Sequence, residues 1–157
     1  MAPREIATNT HVDRTGLEAF LRTRHRVILL TTRRDGAPQA SPVTAGLDDR
    51  GRLVTSTYPE RAKVGNARRN PAGAAVVLSD EWNGPWVQVW GTFDVLDLPD
   101  ALDAFVDYYR SISGEHPDWD EYRAAMLRQG KSLLRLTIER WGPIATGGFP
   151  ARLAEDS

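Results

Sequence analysis

The stretch "VILLTTRRDGAPQASPVTAGL", residues 27–47, decides the fold. Val27-Ile28-Leu29-Leu30-Thr31-Thr32 is a run of mostly β-favouring residues and predicts a strand. It runs into Asp35-Gly36, a dipeptide that type I′ hairpin turns prefer because both central residues need positive φ. The chain then returns from Gln39 to Leu47 with Pro42 inside. Proline cannot donate to a ladder, so this second strand is expected at a sheet edge or with a bulge.

Outward from this hairpin the same reading continues. Upstream, residues 13–24 predict a short amphipathic helix, with Asp13 as N-cap and Leu17, Phe20 and Leu21 on one face. Downstream, the turn Asp48-Asp49-Arg50-Gly51 leads into a strand at Leu53–Thr57, and a further strand is expected at Ala74–Leu78. A Gly84-Pro85 turn then opens a long strand from Trp86 to Leu96. Pro99 is expected to open a helix with Leu102, Phe105, Val106, Tyr109 and Ile112 on one stripe. A second helix starts at Asp118, where Asp118 and Glu121 have capping-box spacing, and ends near Gly130. A last strand covers Leu133–Ile138. Hairpins in succession with few, clustered helices imply a mainly β (α+β) barrel or sandwich with flanking helices, not a doubly wound sheet. One domain is expected over residues 1–157, with a helical insertion at about 98–130 and a C-terminal tail at about 141–157.

Composition excludes several classes of function. The chain has 157 residues, 41% hydrophobic and 26% charged, the profile of a soluble globular protein. It has no cysteine, hence no disulfide framework and no thiolate chemistry, which suits a cytoplasmic location. No metal is expected, because His11, His25 and His116 are not at ligand spacing. No apolar run approaches the roughly 20 residues of a membrane span, and MAPREIATNT lacks the apolar core of a signal peptide. A pI near 6.3 argues against a nucleic-acid partner. No Ser-His-Asp arrangement marks a nucleophile, and no Gly-x-Gly-x-x-Gly follows a strand. The catalytic residues are unassigned. Tyr58 and His25 could donate a proton, although a lone Tyr at such a place is more often packing.

Two segments stand out. In the strand 86–96, Val87, Val89, Phe93 and Val95 share one parity, while Trp86, Gln88 and Trp90 share the other. Two tryptophans beside a glutamine on a non-core face suggest a covered surface, either a subunit interface, a ligand wall or packing against this chain's own helices. The second segment, TYPERAKVGNARRNP, residues 57–71, carries Arg61, Lys63, Arg68 and Arg69 against one acid, Glu60. It predicts a short helix ended by Asn70-Pro71. Lys63, Asn66 and Arg69 fall at threefold spacing, and the strand-end hydroxyls of Thr55, Ser56 and Thr57 stand just upstream. Hydroxyls, backbone donors and cations together suit a phosphate.

These motifs, in this order, resemble the split β-barrel flavin and deazaflavin oxidoreductases, relatives of pyridoxamine 5′-phosphate oxidase. The matching residues are Asp35-Gly36-Ala37-Pro38 with Ser41-Pro42-Val43, then Lys63-Val64-Gly65-Asn66 running to Asn70-Pro71, then Trp90-Gly91-Thr92. Within that superfamily the chain is similar to the branch that uses coenzyme F420, through Arg68-Arg69-Asn70-Pro71 and Arg140-Trp141-Gly142-Pro143. FMN-using members often carry cations on the strand before the basic helix, where this chain has Leu53–Thr57 and no cation until Arg61. The resemblance implies a homodimer with the cofactor in a groove between subunits, and hydride transfer to a small organic substrate. It implies cofactor contacts from Ser41, Pro42, Val43, Thr55, Ser56, Thr57, Arg61, Lys63, Asn66, Arg68, Arg69, Gln88 and Trp90. An FMN enzyme and a non-catalytic flavin, deazaflavin or haem carrier remain the alternatives.

Overall fold

The computed structural model describes residues 5–156. In chain order the elements are β1 (Thr8–Thr10), α1 (Arg14–Arg22), β2 (Arg26–Thr32), β3 (Pro38–Thr44), β4 (Gly46–Leu47) and β5 (Leu53–Thr57). Then follow α2 (Ala62–Arg69), β6 (Ala72–Val77), β7 (Val87–Asp97), α3 (Leu102–Ser113), α4 (Trp119–Gln129), β8 (Ser132–Trp141) and β9 (Ile144–Thr146). Seven strands make one antiparallel sheet in the order β3-β2-β6-β7-β8-β5-β4. Its two edge strands, β3 and β4, are consecutive in the chain and separated only by Ala45. The sheet therefore curls until its edges meet at that residue, and Thr55 fastens the corner by donating to the Thr44 carbonyl at 2.7 Å. Away from the corner the edges part. This is the split barrel that the sequence resemblance implied, with Pro42 on an edge strand as its chemistry requires.

Alternation along each strand sets what lies inside. Val27, Leu29, Leu53, Ala75, Val77, Val87, Val89, Phe93, Leu134 and Leu136 point inward and form the barrel core. Leu17 and Leu21 of α1 and Val64 and Ala67 of α2 join that core. An eight-residue helix containing Gly65 is marginal by itself, since Gly costs about 1 kcal/mol relative to Ala. Burying Val64 completely, at about 1.5–3 kcal/mol for a branched side chain, is what holds α2 against the barrel. Outside the barrel, Val54 and Leu133 form a second cluster with Phe105, Val106, Tyr122 and Met126 of α3 and α4. So β5 and β8 are covered by helices.

Five sequence expectations need correction. The β2–β3 turn is not type I′: Asp35 keeps negative φ and only Gly36, at φ 85°, is left-handed. Gly36 N donates to the Arg33 carbonyl and Arg33 N to the Ala37 carbonyl, a type I turn closed by a glycine bulge. The Asp35 carboxylate accepts from Ala37 N at 3.0 Å, which fixes this alternative. The strand expected over residues 39–47 is two strands, because Ala45 turns the corner. Pro99 does not open α3; the helix begins at Leu102, after a turn that includes the proline. Asp118 does cap α4 by accepting from Glu121 N at 3.1 Å, but His116 Nδ1, not Glu121, takes the Asp118 N–H. In the segment expected as a tail at about 141–157, the described residues are structured: Trp141 ends β8, β9 pairs with β1, and a 3₁₀ helix spans Ala151–Asp156. β1 was not foreseen. Among the described residues no helix is long and apolar enough to cross a membrane.

Candidate functional site

α2 lies across one mouth of the barrel, and the sequence-expected polar residues gather around it. A helix turns about 100° per residue, so Asn66 and Arg69 share a side while Arg68 is about 200° round from Asn66. The structure follows this geometry. Asn66 is buried and its amide donates to Thr31 Oγ1 of β2 at 3.1 Å. Arg69 donates to Asn66 Oδ1 at 2.8 Å and to the Thr32 carbonyl at 3.1 Å. Thr31 in turn donates to Gln39 Oε1, and Gln39 donates to Ser41 Oγ at 2.8 Å. A continuous polar relay thus joins Arg69 to Ser41 across β2 and β3.

Arg68 goes the other way, to Asp97 at the end of β7, at 2.6 Å. The Asp97 carboxyl is held below its usual range, by the Ser132 hydroxyl first and the Arg68 guanidinium second. The expected Arg68/Arg69 pair is therefore split between two strands. The three hydroxyls of β5 are split as well. Thr55 and Thr57 are buried on the barrel side, and Thr55 is committed to the Thr44 carbonyl. Ser56 alternates to the face carrying Val54, which α3 and α4 cover. On β3, Ser41 and Val43 take the inward parity of Leu29 and Val27, while Pro42 faces outward.

Committed donors leave the uncommitted ones in relief. Thr57 and Lys63 make no side-chain hydrogen bond or ion pair among the described residues, and Arg61 beside them makes none. Lys63 is half-buried on the first turn of α2. Burial pushes its ammonium below the ordinary 10.5, and the neighbouring Arg61 charge adds to the effect. No side chain caps the start of α2, and the Ala62 and Lys63 N–H groups have no partner among the described residues, whereas Val64 N donates to the Arg61 carbonyl at 3.0 Å. Lys63 and Arg61 thus stand at the start of α2, with Thr57 at the end of the preceding strand, and these are the group types that an anion would need.

The remaining expected residues, Gln88 and Trp90, lie on the outer face of the sheet. Register places Pro42, Ile28, Val76 and Gln88 in one row, and Ala40, Leu30, Ala74 and Trp90 in the next. Among the described residues no helix covers the outer face of this half of the sheet, and its side chains are largely apolar. Arg140, which sequence reasoning quoted but did not place in the site, stacks its guanidinium on the Trp90 ring at 4.5 Å. An open hollow of about 430 Å³ lies here, between Leu30, Ala74, Gln88, Trp90 and Arg140. Gln39 was also missed. Its signal was present, because the β2–β3 pairing sets it opposite Thr31.

Residues 15–145 match the family described as pyridoxamine 5′-phosphate oxidase. The chain belongs to that family. Solved structures agree on the fold. A conserved hypothetical protein of Mycobacterium tuberculosis is 18% identical, with 87% of each chain covered and a TM-score of 0.70. An F420 reductase is 22% identical over 79% of this chain and 94% of its own, with a TM-score of 0.58. A heme binding protein of Mycobacterium smegmatis is 17% identical over 84% of this chain and 55% of its own, with a TM-score of 0.60. An F420 reductase and a heme binding protein thus share this fold, and the fold alone does not distinguish their roles.

Proposed function

We propose that this protein is a cytoplasmic, F420-dependent oxidoreductase that moves hydride between the deazaflavin and a small organic substrate. The observation that carries the reading is Lys63, a half-buried ammonium at the uncapped start of α2 without an anionic partner among the described residues. Lys63, Thr57 and Arg61 would hold the cofactor's phosphate, and Ser41 and Val43 would line the slit between the parted sheet edges. The bound deazaflavin supplies hydride transfer; the chain supplies binding, orientation and exclusion of water. Asn66 and Arg69 are already spent on the relay to Ser41, so their role is to fix α2 and β3 relative to each other. β5 carries no cation before Arg61, which favours the deazaflavin over FMN, and the likeness to an F420 reductase supports the same choice. Parallel fluorescence titration with coenzyme F420 and FMN tests this directly. Tighter binding of F420, with turnover of its reduced form in the presence of electron-poor acceptors, is expected. Tighter binding of FMN, or binding of F420 without turnover by any acceptor, would sink the proposal.

The uncovered face of β3, β2, β6 and β7 suggests where a second copy docks. In a homodimer, Gln88 and Trp90 of one protomer would close the groove that Lys63 opens in its partner. Trp90→Glu puts a carboxylate in the middle of that apolar face and should halve the mass found by light scattering. An unchanged mass would show that the face is not an interface.

A further inference from the structure

We propose that a second site, separate from the cofactor groove, binds a small aliphatic α-amino acid as a zwitterion. It is a hollow of about 130 Å³ under α3, on the helix-covered side of the barrel. Its floor is apolar, made by Val54, Leu96 and Leu133. α3 contributes Ala104, Asp107, Tyr108 and Ser111, the i, i+3, i+4, i+7 stripe of one helix face, and the small Ala104 leaves the space open.

Charge makes the hollow more than a packing gap. Arg135 lies in the row Asp94–Arg135–Val54, where an apolar residue would complete the second core cluster. Its guanidinium reaches only Asp94, at 3.3 Å, and its Nε is buried without any partner among the described residues. Nε has almost no accessible surface, so a ligand would meet the guanidinium at Nη1, which also has no partner among the described residues, and a carboxylate is the acceptor that a guanidinium fits best. Asp49 and Asp107 also line the hollow at its exposed side, and their carboxylates make no ion pair among the described residues, while Asp48 is already paired with Arg52 at 2.7 Å. Tyr108 and Ser111 spend their hydroxyls on backbone carbonyls, so they do not compete for a ligand. One unpaired cationic donor, an apolar floor and unpaired carboxylates in the same lining match carboxylate, aliphatic body and ammonium. Size agrees: a cavity of about 150 Å³ accepts benzene, so this one holds a molecule of about six heavy atoms, as in alanine.

The test is binding of L-alanine to the full chain by calorimetry, beside propionate, which lacks the ammonium, and alaninamide, which lacks the carboxylate. Millimolar or tighter binding of L-alanine is expected, with each analogue weaker by about tenfold or more. Arg135→Gln should abolish binding and Asp107→Asn should weaken it about tenfold, while F420 affinity stays unchanged in both. Asp107 is exposed on a helix, so its variant folds even if the arginine variant does not. No binding of L-alanine at millimolar concentration, propionate binding as tightly as L-alanine, or undiminished binding to Asp107→Asn would each overturn the proposal.

Discussion

Gly91→Ala is expected to cost more than about 4 kcal/mol of stability and to lower the melting temperature by roughly 10 °C or more. Gly91 sits at the bulge where the β7–β8 register shifts between Trp90 and Gly91. A Cβ there would stand 1.8 Å from the Thr137 carbonyl oxygen, 2.8 Å from its carbon and 3.2 Å from the Ile138 Cα. All three are backbone atoms of the paired strand, so no side chain can swing aside. Space is the constraint here, rather than an unusual φ. The alternatives are to open the ladder between the sheet's two longest strands or to leave the bulge, which would reverse the facing of every residue after it. Either would disturb Trp90 as well. Thermal and urea unfolding of the variant measure the effect, and a loss below about 1 kcal/mol would show that the strands yield locally.

That glycine also illustrates how far the fold was legible. Trp90-Gly91-Thr92 could be quoted as a motif, yet the reason for the glycine is a partner strand some forty-six residues away, invisible to local pattern. Strands with strict alternation, such as Val87–Phe93, were readable because one face meets a core and the other does not. The Ala45 corner was unreadable. Nothing local distinguishes a straight strand over 39–47 from one that leaves one edge of the sheet and joins the other. β1 and β9 stabilise each other only across the whole chain, so neither carries a strong signal by itself.

The site was legible by residue type and not by direction. The sequence groups cations and hydroxyls around α2, but each side chain's partner depends on its angle round the helix and its parity along a strand. Arg68 and Arg69 are neighbours in sequence and end on β7 and β2 respectively. Thr55 and Thr57 share a side that Ser56 does not. What distinguishes Lys63 from Arg68 and Arg69 is that it has no partner among the described residues while being half-buried, a property of the folded chain alone.

Lys63→Ala should weaken F420 binding by about 1.5–3 kcal/mol, the range for losing a hydrogen bond to a charged group. The same variant should leave the free protein as stable as before or slightly more so, and this opposite pair of effects separates a binding residue from a structural one. The reasoning runs through protonation. Burial and then Arg61 lower the Lys63 pKa in the folded chain, so the folded state disfavours the charged form. Between that lowered value and the ordinary 10.5 the unfolded chain binds the extra proton, and stability therefore rises with pH across this window. A phosphate at the site reverses the preference, because it stabilises the ammonium. Affinity for the cofactor should accordingly be full below the folded-state pKa of Lys63 and decline as pH rises through it. In Lys63→Ala both slopes attributable to this group disappear. Fluorescence titration of F420 and urea unfolding, each followed from neutral into alkaline pH, would measure them. An affinity that is equal in wild type and variant throughout that range would show that Lys63 holds no anion, and the phosphate would then have to rest elsewhere on the barrel.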